Sequence, residues 1–389
     1  MAKTVDVVIV GGGVVGSSIA YNLKNDGFTG SVVVLEKDPS YQYASSSLSM
    51  GGVRQQFGHA VNVLLVRYSV GIYEQFDQLM AVDGEPAHAQ FRQRGYMFLA
   101  NEKNAPILER RYQLQKSVGA DVEILSREEI HRRFPELWLD DILWATFGPR
   151  DGYVDPHGVL QGFRRKARSL GAVYEADEVV GIEVRDGKVE GVRTKKGEHY
   201  QTRIVVNAAG PSAKLVGAMA GVQLPIEPVR QQLFVCALPR PWPYEFPMII
   251  DPDGVHWRHE TGNKIIVAKT KHDEPPGFRF GYERERFHRE CWPDLARRVP
   301  EFDRLVLERG WGGLYAMTPD QNAIYGEHPE VKGFYMANGF SGHGLMMSPA
   351  TGKVMSELIR LGRYETVDVS ELNVERFAQG KLVLEEALI

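Results

Sequence analysis

The segment 7–18, close to the N-terminus, constrains the fold more than any other stretch of the chain. Its sequence is VVIVGGGVVGSS. The apolar run Val7 to Val10 lacks polar alternation, which predicts a buried parallel strand. A glycine turn follows, and Ser17 to Leu23 then has helical spacing. The order of strand, glycine turn and helix is typical of a dinucleotide-binding βαβ unit.

The three glycines of this turn have separate physical roles. Gly11 permits the tight turn, Gly13 lets the backbone approach the phosphates, and Gly16 lets the helix pack closely on the strand. The helix N-terminus offers N–H groups and a partial positive charge to a pyrophosphate. A second apolar strand, Val32 to Leu35, ends in Glu36, and an acid there can accept hydrogen bonds from a ribose 2′-hydroxyl. We therefore expect a dinucleotide, although this motif does not distinguish FAD from NAD.

The composition is that of a soluble globular protein. A chain of 389 residues is too long for one ordinary domain core, which predicts two domains. The net charge of −4 gives no reason to expect nucleic acid or an anionic membrane as a partner. Cys236 and Cys291 lie far apart outside any CxxC pattern, which fits a reducing, cytoplasmic compartment. We expect no transmembrane helix, no metal site and no serine-nucleophile motif, and the oligomeric state stays open.

The remaining patterns predict alternating strands and helices. Asp186-Gly187 joins two apolar runs and is a strong signal of a β-hairpin. The spacing of apolar residues predicts a helix over Ala60 to Leu79 and another over Pro349 to Leu361. Gln93 to Ala100 is typical of a strand. Val206 to Pro211, a strand followed by small residues, indicates a second close approach of the backbone to the nucleotide.

Four motifs stand in order along the chain: VIVGGGVVG, NAAG, LYAMTPD and NGFSGHG. Together with GYVDP (152–156), they resemble the D-amino-acid oxidase-like flavoprotein family, nearest its sarcosine oxidase and glycine oxidase branch. The resemblance spans essentially the whole chain and implies FAD rather than NAD. It also implies an α/β fold, in which an FAD-binding Rossmann-like domain of the glutathione reductase type accompanies a second, antiparallel-sheet α+β substrate domain.

The resemblance implies that both domains are discontinuous. The GYVDP motif corresponds to the family's return into the FAD-binding domain. We expect the FAD-binding domain to comprise residues 1–83, 148–222 and 308–389, and the substrate-binding domain to comprise residues 84–147 and 223–307.

The matching motifs also imply which residues contact FAD. The N-terminal turn would hold the ADP half, a hydroxyl-rich loop the pyrophosphate and ribityl chain, and the segment before the last helix the flavin ring. A helix N-terminus at the flavin would stabilise the negative charge that develops when hydride arrives. The expected cofactor-binding residues are Gly11, Gly13, Val14, Val15, Gly16, Glu36, Lys37, Ser45, Ser46, Ser47, Gly51, Gly52, Val179, Ala208, Ala209, Gly210, Gly313, Gly342, His343, Gly344, Leu345 and Met346.

Two departures from the sarcosine oxidase pattern affect the expected chemistry. Covalent members carry a flavin-linking cysteine where this chain has Gly313, so we expect noncovalent FAD. The oxygen-activating lysine of that branch aligns with Ile266, with Lys264 and Lys269 nearby. Both oxidase and dehydrogenase activity therefore stay open, with O2 or a quinone or protein as electron acceptor.

The substrate-facing residues are the least defined by the sequence. The lysine that binds substrate carboxylate in sarcosine oxidases corresponds here to Met346. A guanidinium can bind a carboxylate through two hydrogen bonds, which makes Arg54, Arg230 and Arg258 candidates. Structural roles in ion pairs, strands or the core compete with catalytic ones. The candidate catalytic residues are Arg54, His343, Tyr315, Arg230 and His256.

The sequence thus predicts an FAD-dependent oxidoreductase acting on a small amine or amino acid of the N-substituted glycine type. Hydride transfer from the C–N unit to flavin N5 would give an imine that hydrolyses. One alternative is an amino-acid dehydrogenase with a quinone or protein acceptor. Another is a non-catalytic flavoprotein acting in binding or assembly, which a wholly apolar cavity would favour.

Overall fold

The fold is given by a computed structural model that describes residues 3–270 and 273–385. Its strands, in chain order, are β1 (Lys3–Thr4), β2 (Val7–Val10), β3 (Val32–Glu36), β4 (Gly52–Val53), β5 (Tyr96–Ala100), β6 (Glu123–Ser126), β7 (Trp144–Gly148), β8 (Gly152–Tyr153), β9 (Val173–Ala176), β10 (Val179–Arg185), β11 (Lys188–Thr194), β12 (His199–Gln201), β13 (Ile204–Asn207), β14 (Glu227–Ala237), β15 (Met248–Ile250), β16 (Val255–Glu260), β17 (Lys264–Lys269), β18 (Val306–Met317), β19 (Ile324–His328) and β20 (Val331–Asn338).

The helices include a long C-terminal one and several short ones. They are α1 (Val14–Asn25), α2 (Ala60–Tyr73), α3 (Phe76–Leu79), α4 (Ala105–Ser117), α5 (Arg127–Arg133), α6 (Pro156–Ser169), α7 (Ala213–Met219), α8 (Arg284–Arg286), α9 (Trp292–Arg298), α10 (Gly344–Leu361) and α11 (Glu375–Ala378). A π-helical turn, Phe287–Cys291, joins α8 to α9. Within the two described ranges, none of these helices has the length and apolar character needed to span a membrane.

The first sheet has a parallel centre in the order β20-β13-β2-β3-β9. Ile9 of β2 pairs with Val206 on one side and Val34 on the other, and all three are fully buried. Continuous apolar strands of this kind are buried on both faces. One face packs on α1 and α10, and the other packs on β10, β11 and α7. Helix α1 packs on α10 so closely that a Cβ at Gly352 would lie 2.2 Å from the Ser18 hydroxyl.

The second sheet has the order β18-β14-β17-β16-β15-β5-β7-β6, and its neighbours are antiparallel except for β15 and β5. Trp257, Phe246 and Phe302 are fully buried in its core. The predicted fold class is confirmed, since a Rossmann-like parallel sheet and a largely antiparallel second sheet are both present. The domain boundaries stay a prediction.

The hairpin predicted at Asp186-Gly187 is confirmed. It joins β10 to β11, which pair antiparallel with Arg185 opposite Lys188. Both turn residues have positive φ, 49° for Asp186 and 69° for Gly187. This conformation matches the twist of the flanking strands, and Asp and Gly adopt it at low cost.

Three predicted boundaries were wrong. The helix expected over Ala60 to Leu79 is interrupted after Tyr73, where α2 ends, and α3 begins at Phe76. The strand expected from Gln93 begins at Tyr96, after Gly95 turns the chain with a φ of 88°. The helix expected from Pro349 begins at Gly344, which places the proline inside α10. Proline has no N–H for the carbonyl of Leu345 four residues earlier. That carbonyl instead accepts a hydrogen bond of 2.6 Å from the Tyr73 hydroxyl, so the helix continues through the proline.

Candidate active site

A cavity of about 480 Å³ is lined by residues from both sheets. One part of its lining comes from the carboxyl ends of the parallel strands β2, β3 and β13. Another part comes from β14 to β18 of the second sheet. Ligands of open α/β sheets bind outside the carboxyl ends of the strands, so this cavity is the candidate site.

The glycine turn after β2 shapes one wall of the cavity. Gly11 has a φ of 101°, and a Cβ there would lie 2.5 Å from the carbonyl oxygen of Ala208. A Cβ at Gly16 would lie 2.0 Å from the carbonyl oxygen of Gly11. Gly13 differs, because within 4 Å its Cβ would meet one atom, the Ser46 hydroxyl at 3.6 Å. The absence of a Cβ at Gly11 and Gly16 therefore permits the close packing of the turn, and its absence at Gly13 leaves open space at the N-terminus of α1.

The Glu36 carboxylate is fixed at the end of β3. One carboxylate oxygen accepts from the backbone N–H of Gly12 and the other from that of Asp38, both at 2.8 Å. Burial raises the pKa of Glu36, and these two donors partly oppose the rise. A carboxylate has lone pairs beyond the two used here. It can therefore accept further hydrogen bonds from hydroxyl groups in the cavity, which it lines.

Most of the predicted site residues line the cavity. Those that do are Gly11, Gly13, Val14, Val15, Glu36, Lys37, Ser45, Ser46, Gly52, Arg54, Val179, Ala208, Ala209, Gly210, His256, Gly313, Tyr315, Gly342, His343, Gly344, Leu345 and Met346. The predicted residues outside the lining are Gly16, Ser47, Gly51 and Arg230. Gly51 instead lets the chain pass Val154, whose carbonyl oxygen would lie 2.3 Å from a Cβ.

Arg54 is a buried cation in the cavity wall, and only 1% of the residue's surface is exposed. Its guanidinium carbon lies 4.2 Å from the ring centre of Phe57, 5.5 Å from that of Phe98 and 5.8 Å from that of Tyr96. One guanidinium nitrogen is 3.2 Å from Nε2 of His343. Aromatic faces stabilise the cation, and their low polarity strengthens its attraction for an anion.

His343 stands directly before the first turn of α10. Burial, and then the charge of Arg54, hold the pKa of His343 well below its usual value. The imidazole is therefore neutral at pH 7, and its Nε2 accepts from Arg54. The preceding Gly342 has a φ of 97°, and a Cβ there would lie 2.5 Å from the Tyr315 ring. Close packing thus explains this glycine.

Tyr315 and His256 also line the cavity. Burial raises the pKa of Tyr315, against the opposing charge of Arg54, so its hydroxyl keeps its proton at neutral pH. Burial lowers the pKa of His256 to about 4. Its Nδ1 donates to the carbonyl of Gly254 at 3.1 Å, which leaves Nε2 as an acceptor.

The structure places the other two candidate arginines outside the cavity lining. Arg230 donates to Glu274 at 2.8 Å and also to Glu283, so two carboxylates already balance its charge. Arg258 is buried and forms a 3.0 Å ion pair with Glu260. The acids that pair with Arg230 lie 44 and 53 residues further along the chain, and local sequence patterns do not reveal such distant pairing.

Sequence reasoning missed several lining residues of the second sheet and the cavity mouth. Tyr96, Leu233 and Met248 line the cavity from β5, β14 and β15. Tyr43 and Phe280 also line it, are exposed, and have ring centres 4.7 Å apart. The sequence signal that could have revealed Phe280 is Gly277-Phe278-Arg279-Phe280-Gly281, in which two glycines flank two phenylalanines and an arginine.

The lining fits FAD at three places. Space beside Gly13 adjoins the positive end of α1, which suits a pyrophosphate. The fixed carboxylate of Glu36 suits ribose hydroxyls. The N-terminus of α10, at Gly344, adjoins the cavity beside Arg54 and suits a ring system that gains negative charge. A two-sheet flavoprotein is the class that this fold and cavity define.

Residues 6–358 match the family DAO, FAD dependent oxidoreductase. The chain is 34% identical to FAD-dependent oxidoreductase domain-containing protein 1 of Bos taurus, over 99% of this chain and 87% of that protein. It is 29% identical to the mitochondrial dimethylglycine dehydrogenase of Rattus norvegicus, over 96% of this chain and 45% of that protein. The crystal structure of L-proline dehydrogenase from P. horikoshii is similar, with a TM-score of 0.90 and 30% identity over 98% of this chain and 100% of that one.

The chain therefore belongs to the DAO family of FAD-dependent oxidoreductases. FAD is its cofactor, which confirms the prediction of FAD over NAD. The resemblance inferred from the four motifs is confirmed as well.

Proposed function

We propose that this protein oxidises the C–N bond of a small amino acid, with a secondary amine of the N-substituted glycine type as the leading substrate. The C–H bond next to nitrogen breaks, and its hydrogen leaves as hydride. The nitrogen lone pair forms a C=N bond, and water hydrolyses the imine. The observation that carries the proposal is Arg54, a buried guanidinium in the wall of the cavity.

Arg54 would bind the substrate carboxylate. A guanidinium presents paired N–H donors that match the two oxygens of a carboxylate. Its position against three aromatic rings excludes water, so the charge pair is worth more than at a surface. A charged side chain of this kind favours an enzyme over the alternative of a binding or assembly flavoprotein, for which an apolar cavity would suffice.

The same charge selects the neutral form of the substrate amine. A buried cation disfavours an ammonium beside it, and the neighbouring imidazoles of His343 and His256 are neutral at pH 7 because burial lowers both pKa values. A neutral amine keeps the lone pair that must form the C=N bond. The environment of Arg54 therefore supports both binding of the carboxylate and release of hydride.

When bound, FAD supplies the two-electron acceptor for that hydride. The cavity-lining residues at the turn after β2, at Glu36 and at Val179 would hold its ADP half. The N-terminus of α10 would stabilise negative charge at the flavin end. Gly313, at the place of the linking cysteine in covalent members, has no side chain to form a bond, so we propose noncovalent binding.

We further propose a quinone or protein rather than O2 as the electron acceptor. Ile266, at the position of the oxygen-activating lysine of sarcosine oxidases, is buried against Leu233 and Ala268. Lys264 pairs with Glu308 at 2.6 Å, and Lys269 pairs with Asp294 at 2.7 Å. Both lysines are thus engaged by carboxylates. The two named relatives that act on amino acids are dehydrogenases.

Anaerobic reduction of the FAD-loaded protein tests this proposal. Proline, sarcosine, dimethylglycine, glycine and both alanine enantiomers would each be compared with the amide that lacks the carboxylate. We expect one amino acid class to bleach the flavin absorbance while its amide does not. Reoxidation should be slow in air and fast with a quinone. Failure of every amino acid would contradict the proposed reaction, and equal bleaching by an amide would contradict the role of Arg54.

A further inference from the structure

A fully buried carboxyl group, Asp151, lies in the tight connection between β7 and β8. One of its oxygens accepts from the backbone N–H of Gln55 at 3.1 Å and from the side-chain amide of Gln55 at 3.0 Å. The other accepts from the side-chain amide of Gln56 at 3.3 Å. Three N–H donors therefore converge on a carboxyl group that water does not reach, which is a costly arrangement to build.

Gln56 connects this carboxyl group to the proposed substrate site. Its side-chain amide contacts Asp151, and its backbone carbonyl accepts a hydrogen bond from the guanidinium of Arg54. The same side-chain amide donates to the carbonyl of Tyr96 at 2.8 Å, which fixes its position. A single residue, Gln56, thus connects Asp151 to Arg54, the proposed binding group for the substrate carboxylate.

Gln55 connects Asp151 to a second cavity, of about 330 Å³. Arg150 and Asp121 also line this cavity, and Asp121 is exposed. Gln55 therefore separates Asp151 from the space of this second cavity. A proton taken up by Asp151 on this side would not have to pass through the substrate cavity.

The charged and titratable groups that face Asp151 are Arg54, Arg150 and Tyr96. Burial raises the pKa of Asp151 to about 7, and the glutamine donors and Arg54 oppose that rise. Tyr96 has a pKa of about 12 because of its burial, and the pKa of His343 lies well below its usual value. Asp151 is therefore the group in this set that changes charge near neutral pH.

We propose that Asp151 is a positioning residue that holds Arg54 through Gln56 and takes up a proton when a carboxylate binds to Arg54. This inference rests on the proposed function. Ionised Asp151 partly cancels the charge of Arg54, and a bound carboxylate adds a second negative charge to the same buried region. Protonation of Asp151 from solvent removes that excess. By reciprocity, the carboxylate binds more tightly to the protonated protein.

The probe for this inference is propionate, which has no amine to titrate and cannot be oxidised by the proposed reaction. Its Kd would be measured from the perturbation of the flavin absorbance between about pH 6 and pH 9. We expect the Kd to rise by about tenfold across this range, because ionised Asp151 opposes the binding of a second negative charge. Asp151→Asn cannot change its charge, so its Kd for propionate should not rise across this range.

Asp121→Asn is the matched control, because it removes an exposed carboxylate from the same second cavity. It should keep the pH dependence of the wild type. Proton uptake by the wild-type holoenzyme, followed with a pH indicator in dilute buffer, gives a second measurement that needs no variant. At pH 7 we expect a fraction of one proton to be taken up per bound propionate.

Four outcomes would overturn the inference. A Kd that does not depend on pH in the wild type, or no proton uptake on binding, would leave the carboxylate site intact and remove the role of Asp151. Unchanged pH dependence in Asp151→Asn would do the same. If propionate does not bind at any pH, the carboxylate site at Arg54 is itself wrong, and the proposed function falls together with the inference.

Discussion

Replacing Gly13 by Asp should stabilise the apoprotein slightly and strongly weaken FAD binding. Gly13 is the N-cap of α1, with φ −60° and ψ −176°, and no side chain caps this helix from that position. This conformation is open to any L-residue. Within 4 Å, the added Cβ would meet one atom, the Ser46 hydroxyl at 3.6 Å. The substitution therefore fits the fold and projects into the space that we assign to the pyrophosphate.

The two effects have opposite signs. An N-cap aspartate accepts from first-turn N–H groups and favours the positive end of the helix, which is worth about 0.5 kcal/mol over glycine. The same carboxylate would repel a phosphate placed there, and a separation of about 5 Å serves for an order-of-magnitude figure. At an effective dielectric constant of about 20 this repulsion costs about 3 kcal/mol, which weakens FAD binding by about 150-fold.

Gly13→Asn is the matched control, since it has the size of aspartate and its capping ability without the charge. FAD affinity would be measured by titrating apoprotein and following flavin fluorescence, and stability by thermal unfolding of the same apoprotein. The asparagine variant should lose much less affinity than the aspartate variant. Two results would refute the reasoning: FAD binding by Gly13→Asp within about threefold of the wild type, or equal losses in both variants.

Two further predictions concern Arg54 and a buried ion pair. Arg54→Met should raise the KM for the amino acid that reduces the flavin by about 100-fold, since loss of one partner of a buried charge pair costs about 2–5 kcal/mol. Arg230→Met, at a residue outside the cavity lining, should leave that KM within about threefold of the wild type. A larger rise in KM for Arg230→Met than for Arg54→Met would contradict the assignment. Asp320→Asn should lower the free energy of unfolding at pH 7 by about 3–5 kcal/mol, because Asp320 is fully buried and accepts from Arg376 at 2.7 and 3.0 Å. Burial raises the pKa of Asp320, but pairing with Arg376 outweighs burial and lowers that pKa. The wild type should therefore lose the stability contributed by this ion pair as the pH falls below about 4. Urea unfolding in which the variant and the wild type differ by the same free energy at pH 7 and at pH 3 would contradict this prediction.

The parts of the fold that local sequence predicted are those that local physics determines. The turn at Gly11 and the hairpin at Asp186-Gly187 require backbone conformations that glycine and aspartate adopt at low cost. The residue types at these positions therefore predict both turns. The apolar run of β2 likewise follows from burial on both faces of the sheet.

The parts that local sequence did not predict depend on partners distant along the chain. In α10, Pro349 has no N–H for the Leu345 carbonyl, and the hydroxyls of the distant Tyr73 and of the adjacent Ser348 donate to that carbonyl instead. Arg230 and Arg54 have the same residue type, and only their neighbours in space distinguish an ion pair from a candidate carboxylate anchor. Asp151 near GYVDP carries no local sign that Gln55 and its neighbour converge on it.

The most direct test of the central claim, that the carbon next to nitrogen gives up hydride, is a single-turnover isotope experiment. The amino acid that bleaches the flavin would be mixed anaerobically with the FAD-loaded protein at saturating concentration, alongside the same compound deuterated at that carbon. Flavin reduction should be several-fold slower with the deuterated compound, because the broken bond is the labelled one. Equal first-order rates of reduction would contradict the account.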